Sequence, residues 1–422
     1  MTIDLDTARE TFEASTDLTV GLEEEFAILD DRLALIPRFQ ELCDAAQEDA
    51  VLAESVSGEL IYSEIEIRSG RGEDVGDAFR HQREARRRLF ALASEQGLGL
   101  GSSGTHPWSD YREQRIIDTE HYRRLDEELR WVAWRNNTFS LHVHVGVRGA
   151  DRAVRVSDRL RPVLPLLLAI SANSPYIDAR DSGLHSARTQ SFTRMFPRCG
   201  IPDPFGGWEA FADYIDLLQR TRSIVEFTQV WWSIRPAVSF GTVEVRICDA
   251  QPTAAESEAL AALIVACVGQ AARDLDEGVP FADLPGRLLE ENLWRAIRWG
   301  LDGRMIDLDR LEERPAAEAV ERLLEWTAPV RGELGVEVAL VLRSGGHPDP
   351  AAPHVDDRHS ALEHHVGDRY LLELRLHRRA NLLLGRRTFA WPGSRGDPRL
   401  LLLVHATTSS ENVARVSRTH SA

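Results

Sequence analysis

The chain has no lysine: all 50 of its basic residues are arginine, set against 67 acids for a net charge of −17. That absence removes several chemistries. There is no phosphate-loop lysine, no kinase-type strand lysine and no pyridoxal Schiff base. Any phosphate this chain handles must meet arginine, metal ions or backbone N–H groups. Long hydrophobic runs are also missing. The longest, Val163 to Ala172 and Ala259 to Val268, are too short to span a bilayer. Cysteine is scarce, and Cys43, Cys199, Cys248 and Cys267 follow no ligand spacing. The N-terminal Met1-Thr2-Ile3-Asp4 carries an acid and no apolar core, unlike a signal peptide. These features lead us to expect a cytoplasmic, reduced protein with no membrane partner. The acidic balance argues against nucleic acid as a partner, which needs a basic face. It leaves room for local arginine clusters around a small anionic ligand.

What is present is an alternation of strand-like and helix-like stretches from about Leu18 to Gly300. The strand candidates are Thr19–Leu29, Leu60–Ser69, Leu98–Ser102, Thr138–Val147 and Gly241–Asp249. Helical patterns cover Glu73–Gln96, Ser109–Arg130 and Ala254–Asp274. The last is the clearest, with a Thr253/Glu256 capping box and Leu260, Leu263, Ile264 and Cys267 at helical spacing. Arg188–Trp208, rich in Gly, Pro and aromatics, reads as a long ordered loop. A length of 422 residues suits one large domain with appendages, or two domains. Residues 343–422 change character, with 12 arginines against 8 acids and 8 of the 14 histidines. We therefore divide the chain into a catalytic domain, 1–342, and a C-terminal tail, 343–422.

Four strands share one property: one parity is apolar and the other carries catalytic-type side chains. Tyr62, Glu64, Glu66 and Arg68 alternate with Ile61, Ile65 and Ile67. His142 and His144 alternate with Leu141, Val143 and Val145, and Thr242, Glu244 and Arg246 with Val243, Val245 and Ile247. Glu23 and Glu25 alternate with Leu22, Phe26 and Ile28, although Glu24 breaks that pattern. Strand side chains alternate between faces, so each polar set lands on one surface. A single such strand is usually a solvated face. Four strands carrying Glu, His and Arg point instead to hard-cation ligands and anion binders, because clustered carboxylates repel unless cations lie between them. Carboxylates with one imidazole suit Mg²⁺ or Mn²⁺ better than zinc. Arg246 is placed to neutralise a transferring phosphoryl group, with Arg235 as a second candidate. By contrast, Gly99-x-Gly101-x-x-Gly104 is not a dinucleotide fingerprint, since Thr105-His106-Pro107 follows where a helix should open. It reads as a backbone approach to a substrate or a plain turn. Trp231-Trp232 reads as structural.

Eight blocks occur in order: Gly21-Leu22-Glu23-Glu24-Glu25-Phe26, Glu64-Ile65-Glu66-Ile67-Arg68-Ser69, Gly104-Thr105-His106-Pro107, His142-Val143-His144-Val145-Gly146, Ser171-Ala172-Asn173-Ser174-Pro175-Tyr176, Arg188-Thr189-Gln190, Trp231-Trp232-Ser233-Ile234-Arg235-Pro236 and Phe240-Gly241-Thr242-Val243-Glu244-Val245-Arg246. With these the chain resembles the type 2 glutamate–cysteine ligase family, in particular the YbdK-like carboxylate-amine ligases. The resemblance implies an α+β, glutamine-synthetase-like fold: a curved, largely antiparallel sheet forming a funnel, with helices packed outside. It implies ATP and two or three Mg²⁺ ions, an acyl phosphate made from a carboxylate, and an amine that displaces phosphate. Position by position, it makes Glu23, Glu25, Glu59, Glu66, His142 and Glu244 metal ligands. His144 lies beside His142 at the nucleotide position, Arg235 and Arg246 contact phosphates, and Glu66 joins them as catalytic. Arg188, Arg194 and Thr105 are candidates for holding the substrate. The expected partners are small molecules, a glutamate-like acid and cysteine or another amine, with dimers or larger as the expected assembly. The alternatives are a metal-dependent amide hydrolase on the same scaffold and a non-catalytic nucleotide-binding homologue.

Overall fold

A computed structural model describes residues 4–343 and 369–376, the latter as backbone alone. Its centre is one sheet of seven strands: β1 (Val20–Leu29), β2 (Val56–Ser57), β3 (Glu64–Arg68), β4 (Gly99–Gly101), β5 (Ser140–Gly146), β6 (Ile234–Ala237) and β7 (Thr242–Asp249). The order is β6-β7-β5-β1-β3-β2, with β4 also on β1. Every pairing is antiparallel. Pro236 has no N–H to give a ladder and sits in β6, the edge strand, where none is needed on the open side. The architecture is thus the expected α+β one: an antiparallel sheet with helices outside.

The apolar parity of each strand decides where the helices go. Leu22, Leu141, Val143, Val145, Val243 and Val245 are at most 1 % exposed. They form one core with the helices Ala150–Leu160, Leu164–Ser171 and Ala254–Asp276. Phe26, Ile28, Ile65 and Ile67 form a second core with Ala85, Leu89 and Ala93 of the Val75–Glu95 helix. Helices therefore cover the apolar face and leave the polar face to form a cleft. The Ala254–Asp276 helix is apolar and long enough to cross a membrane, but it is the central core helix here. Its expected capping box is present: Glu256 N donates to Thr253 Oγ1 at 3.2 Å and Thr253 N to Glu256 Oε2 at 3.0 Å.

Glu24, the residue that breaks the β1 pattern, has a specific partner set. It points to the helix side and meets Arg86 in a buried ion pair. Gln82 Nε2 donates to it at 3.0 Å and Ser257 Oγ at 2.6 Å. The pair fastens β1 to two helices at once.

A bulge interrupts β7. Val245 faces Val143, but Cys248 faces Leu141, so β7 spends one residue more than β5 over that step. Parity reverses beyond it. Cys248 enters the core, while Asp249 falls opposite Ser140.

Three expectations are corrected. Ser109–Arg130 is not one helix: only Glu120–Leu129 is α-helical, after a 3₁₀ turn at Tyr111–Glu113. The intervening backbone pairs instead with the chain before β3, through an Ile61–Ile116 bridge and an Ile117 N to Leu60 O bond. Leu60–Ser63 is correspondingly a turn, and β3 starts at Glu64. Arg188–Trp208 is not one loop: Ala187–Met195 is a helix, with Ser186 Oγ accepting from Thr189 N at 3.1 Å. The cap lies just before the segment that was read as irregular. At the C-terminal end, Val336–Arg343 pairs with Arg369–Leu376 in an antiparallel ladder. The turn signals at 344–346, the prolines between 348 and 353 and the remainder of the tail lie outside the described residues.

Candidate active site

Register places the polar parity in rows across the sheet. Glu244 lies between Arg235 and His144, and His144 faces Gly21. In the next row Glu23 lies between His142 and Arg68. Glu25 then faces Glu66, and Ala27 faces Glu64. The parity argument therefore holds for the paired residues of the four strands as far as Val245; past it, Ile247, expected on the apolar side, lines the cleft. The cleft above them is lined by Glu25, Glu59, Glu64, His142, Arg188 and Arg246, with Asn136, Thr138, Thr189, Phe192, Trp231 and Ser233 around them.

Two acidic groups occupy this face. In the first, ligand atoms of Glu23, His144 and Glu244 all lie within 4.8 Å of one another. His144 Nε2 is 3.5 Å from Glu23 and 3.7 Å from Glu244, while its Nδ1 is 2.9 Å from Thr242 Oγ1. Burial would raise Glu23, but hydrogen bonds from His142 and His144 outweigh it and hold the carboxyl well below its ordinary range. Burial acts the same way on Glu244 and is overcome by Arg235 and Arg246.

The second group is Glu25, Glu59, Glu64 and Glu66. Burial, then the charges of Glu66 and Glu25 on Glu59 and of Glu25 and Glu59 on Glu64, pushes both well above the usual carboxylate range. Burial and Glu23 push Glu66 up to about 8, against Arg68 Nη2 at 2.6 Å. Glu64 Oε2 is buried and has no hydrogen-bond partner among the described residues. Buried acids crowded in this way, with an orphan oxygen, fit hard divalent cations bound through oxygen. Glu59 comes from the link between β2 and the turn before β3 rather than from a strand, and it still lines the cleft.

The other expected residues divide. Arg246 lines the cleft, pairs with Glu244, and keeps its Nε buried with no partner among the described residues. Arg235 does not line it. Its guanidinium is spent on Glu244, at 2.6 and 3.3 Å, and on Val230 O at 2.5 Å, so it braces Glu244 from the neighbouring strand. His142 uses both ring nitrogens, Nδ1 at 3.2 Å from Glu23 and Nε2 at 2.8 Å from Ser140 Oγ. Ser140 in turn donates N and Oγ to Glu25, each at 2.6 Å. His142 thus orients two carboxylates. Arg188 reaches the cleft and donates to the carbonyls of Ile247 and Arg246 at 3.2 and 3.3 Å, bracing the bulge. Arg194 is not brought to the cleft; it pairs with Glu290 on the outer surface. Thr105 is buried away from the cleft lining and donates to Tyr176 O at 2.7 Å. Gly104 is needed because a Cβ there would come within 2.6 Å of the Asp249 side chain.

Sequence reasoning put Glu64 on the face without selecting it. It missed Asn136, Thr138, Thr189, Phe192 and Ser233, which come from loops, strand ends and the unexpected helix. It missed Asp249, which accepts from Ser174 Oγ at 2.7 Å, Asn173 N at 2.8 Å and Ser186 Oγ at 3.0 Å. Trp231 lines the cleft while Trp232 packs in the core.

Comparison with known proteins bears on this arrangement. Residues 19–342 match the model of glutamate-cysteine ligase family 2. A relative from Rubrobacter xylanophilus, provisionally named glutamate–cysteine ligase 2-1, is 40% identical over 324 residues, covering 76% of this chain and 85% of its own. Another from Solibacter usitatus, provisionally named glutamate–cysteine ligase 2, is 36% identical over 353 residues, covering 83% and 90%. Among solved structures, glutamate–cysteine ligase from Francisella tularensis in complex with AMP shares the fold, with a TM-score of 0.55 at 12% identity over 75% of this chain and 80% of that one. The strand-borne acids, their spacing and these matches agree, and the chain belongs to glutamate–cysteine ligase family 2, a family of carbon–nitrogen ligases.

Proposed function

We propose that the cleft carries out ATP- and Mg²⁺-dependent carboxylate–amine ligation, with the γ-carboxylate of glutamate as the acid and cysteine or another amine as the acceptor. A carboxylate oxygen bonds to the terminal phosphorus as ADP leaves. The amine nitrogen then bonds to the acyl carbon as phosphate leaves and a proton is lost. The observation that supports this best is the second acidic group: Glu25, Glu59 and Glu64 line one cleft with Arg246, Glu66 lies opposite Glu25, and one Glu64 oxygen has no partner among the described residues.

Glu23, His144 and Glu244 would hold one cation, and Glu25, Glu59, Glu64 and Glu66 the others. When bound, Mg²⁺ supplies charge neutralisation and orientation of phosphate oxygens. The chain's own residues do the rest. Arg246 presents fixed positive charge toward the reacting phosphoryl group. Arg235 and His142 keep Glu244, Glu23 and Glu25 aimed without touching substrate. Arg188 and Thr189 offer donors to the substrate acid. A carboxylate of the cleft takes the proton that the amine loses.

The test is ADP release with glutamate, a panel of amines and Mg²⁺. Glu66→Gln should abolish release while the protein stays folded. Near-normal turnover in that variant would overturn the reading, and amide cleavage without ATP would favour a hydrolase.

A further inference from the structure

One large hydrophobic side chain on the active face has no packing explanation. Phe240, in the turn between β6 and β7, is 65% exposed. A hairpin tip normally takes Gly, Asn, Asp or Ser, for which exposure costs nothing. Its ring nevertheless stands on the cleft side, 5.4 Å from His144 and T-shaped to it at 84°. Opposite His144, on the neighbouring strand, is Gly21, which shares the parity of Glu23 and Glu25. Other glycines at this end are dictated by the backbone. Gly146 would place a Cβ 2.1 Å from Thr16 O, and Gly241 and Gly70 have φ of +64° and +68°. Gly21 is under no such demand. A Cβ there would meet only ordinary contacts at 3.5 Å, with Gly70 O and the His144 Cβ. With no side chain of its own, Gly21 adds nothing to the face beside His144, the ring that Phe240 meets.

We propose that Phe240, His144 and Gly21 form a nucleobase slot, in which the purine of the nucleoside triphosphate stacks on Phe240 and lies over Gly21. This deepens the ligase reading and rests on it. The geometry also orders the rest of the molecule. From Gly21 to Glu25 is four strand residues, about 13 Å, comparable to the reach of a triphosphate from base to terminal phosphate. Along that path the face offers Glu23 with Arg68, then Glu25 with Glu66, and Arg246 lies across it. The base would sit at the Gly21 end, and the acid and amine at the end lined by Glu64, Asn136, Thr189 and Trp231.

The experiment measures KM for ATP and for the acid by ADP release, and Mg²⁺-nucleotide affinity by calorimetry with a non-hydrolysable ATP analogue. The same measurements are made on the full chain and on its Phe240→Ala, Phe240→Tyr and Gly21→Val variants. Melting temperature is the folding control; Phe240 is too exposed for its loss to unfold the protein. Phe240→Ala should raise KM for ATP at least tenfold, within the range that base–aromatic stacking supplies, with little change in KM for the acid. Phe240→Tyr should restore it, and Gly21→Val should raise it by filling the slot. If wild type releases ADP and Phe240→Ala keeps its KM for ATP, the slot is wrong and the ligase reading stands. If wild type binds the analogue through Phe240 but releases no ADP with any amine, the slot stands and the ligase reading falls. If wild type neither binds nor turns over, both fall.

Discussion

Removing the guanidinium of Arg86 tests how β1 is held to the helices behind it. Glu24 and Arg86 are 3% and 7% exposed. Besides Glu24, Arg86 donates to Pro252 O at 2.9 Å and lies over the Phe26 ring at 5.0 Å. Arg86→Met keeps the length of the side chain and offers sulfur to the same ring. It leaves Glu24 buried with only Gln82 and Ser257 as donors. Breaking one side of a buried pair costs about 3–5 kcal/mol, because the remaining charge is uncompensated. At about 2 °C per kcal/mol for a protein of this size, melting should fall by roughly 6–10 °C. The double variant Glu24→Leu/Arg86→Met removes both charges and should return to within about 1 kcal/mol of wild type. The coupling between the sites should therefore exceed about 2 kcal/mol. Urea unfolding followed by tryptophan fluorescence is the assay; guanidinium chloride would screen the charges. ADP release by the folded double variant should stay near wild type, since neither group lines the cleft. A cost below about 1 kcal/mol for Arg86→Met, or a double variant equal to the sum of the singles, would refute the reasoning.

Glu64→Gln should lose ADP release and most of the Mg²⁺-induced rise in melting temperature, while melting no lower than wild type in EDTA; an equal Mg²⁺ shift in both proteins would count against its place among the cation ligands. His106 is buried, with Nε2 2.8 Å from Leu33 O and Nδ1 accepting from Ser109 N at 3.1 Å, and burial lowers its pKa from 6.5 to about 4. Its stabilising contribution is present above pH 6.5 and lost as pH falls through 4, up to about 3 kcal/mol, so His106→Gln should flatten acid unfolding over that window in a pH series of urea melts. Arg194→Ala should leave KM for the acid unchanged and stability within about 0.5 kcal/mol, as expected of an exposed pair; a raised KM would return Arg194 to the site.

Much of the site was legible because a strand has period two. Four alternating strands were enough to put Glu23, Glu66, His142, Glu244 and Arg246 on one surface before any contact was known. Alternation says which face a side chain takes but not what it meets there. Arg235 shares the selected face, yet Glu244 and Val230 use up its guanidinium, and only the register shows this. Arg188 and Arg194 were paired as loop residues. On the Ala187–Met195 helix they are six residues apart, about 240° around the axis, so one faces the cleft and the other solvent. Reading Ser186 as a cap would have separated them. Glu24 was opaque for a different reason: its partners Arg86 and Ser257 lie 62 and 233 residues away. No local pattern carries that information.

The bulge in β7 behaves like a frameshift written into the strand. Up to Val245 the chain is read in one frame, with Glu244 toward the cleft; from Cys248 it is read in the other, with Asp249 toward Ser140. Point substitutions at 246 and 247 alter one side chain. Removing a single residue there would instead put the strand back in frame and turn everything downstream over, sending Asp249 toward the helices and Cys248 toward the acids. Arg188, clamped on the carbonyls of 246 and 247, holds the extra residue in place. Relatives that share this site should therefore vary in residue identity along β7 but not in its length, and loop insertions should stop short of it on both sides.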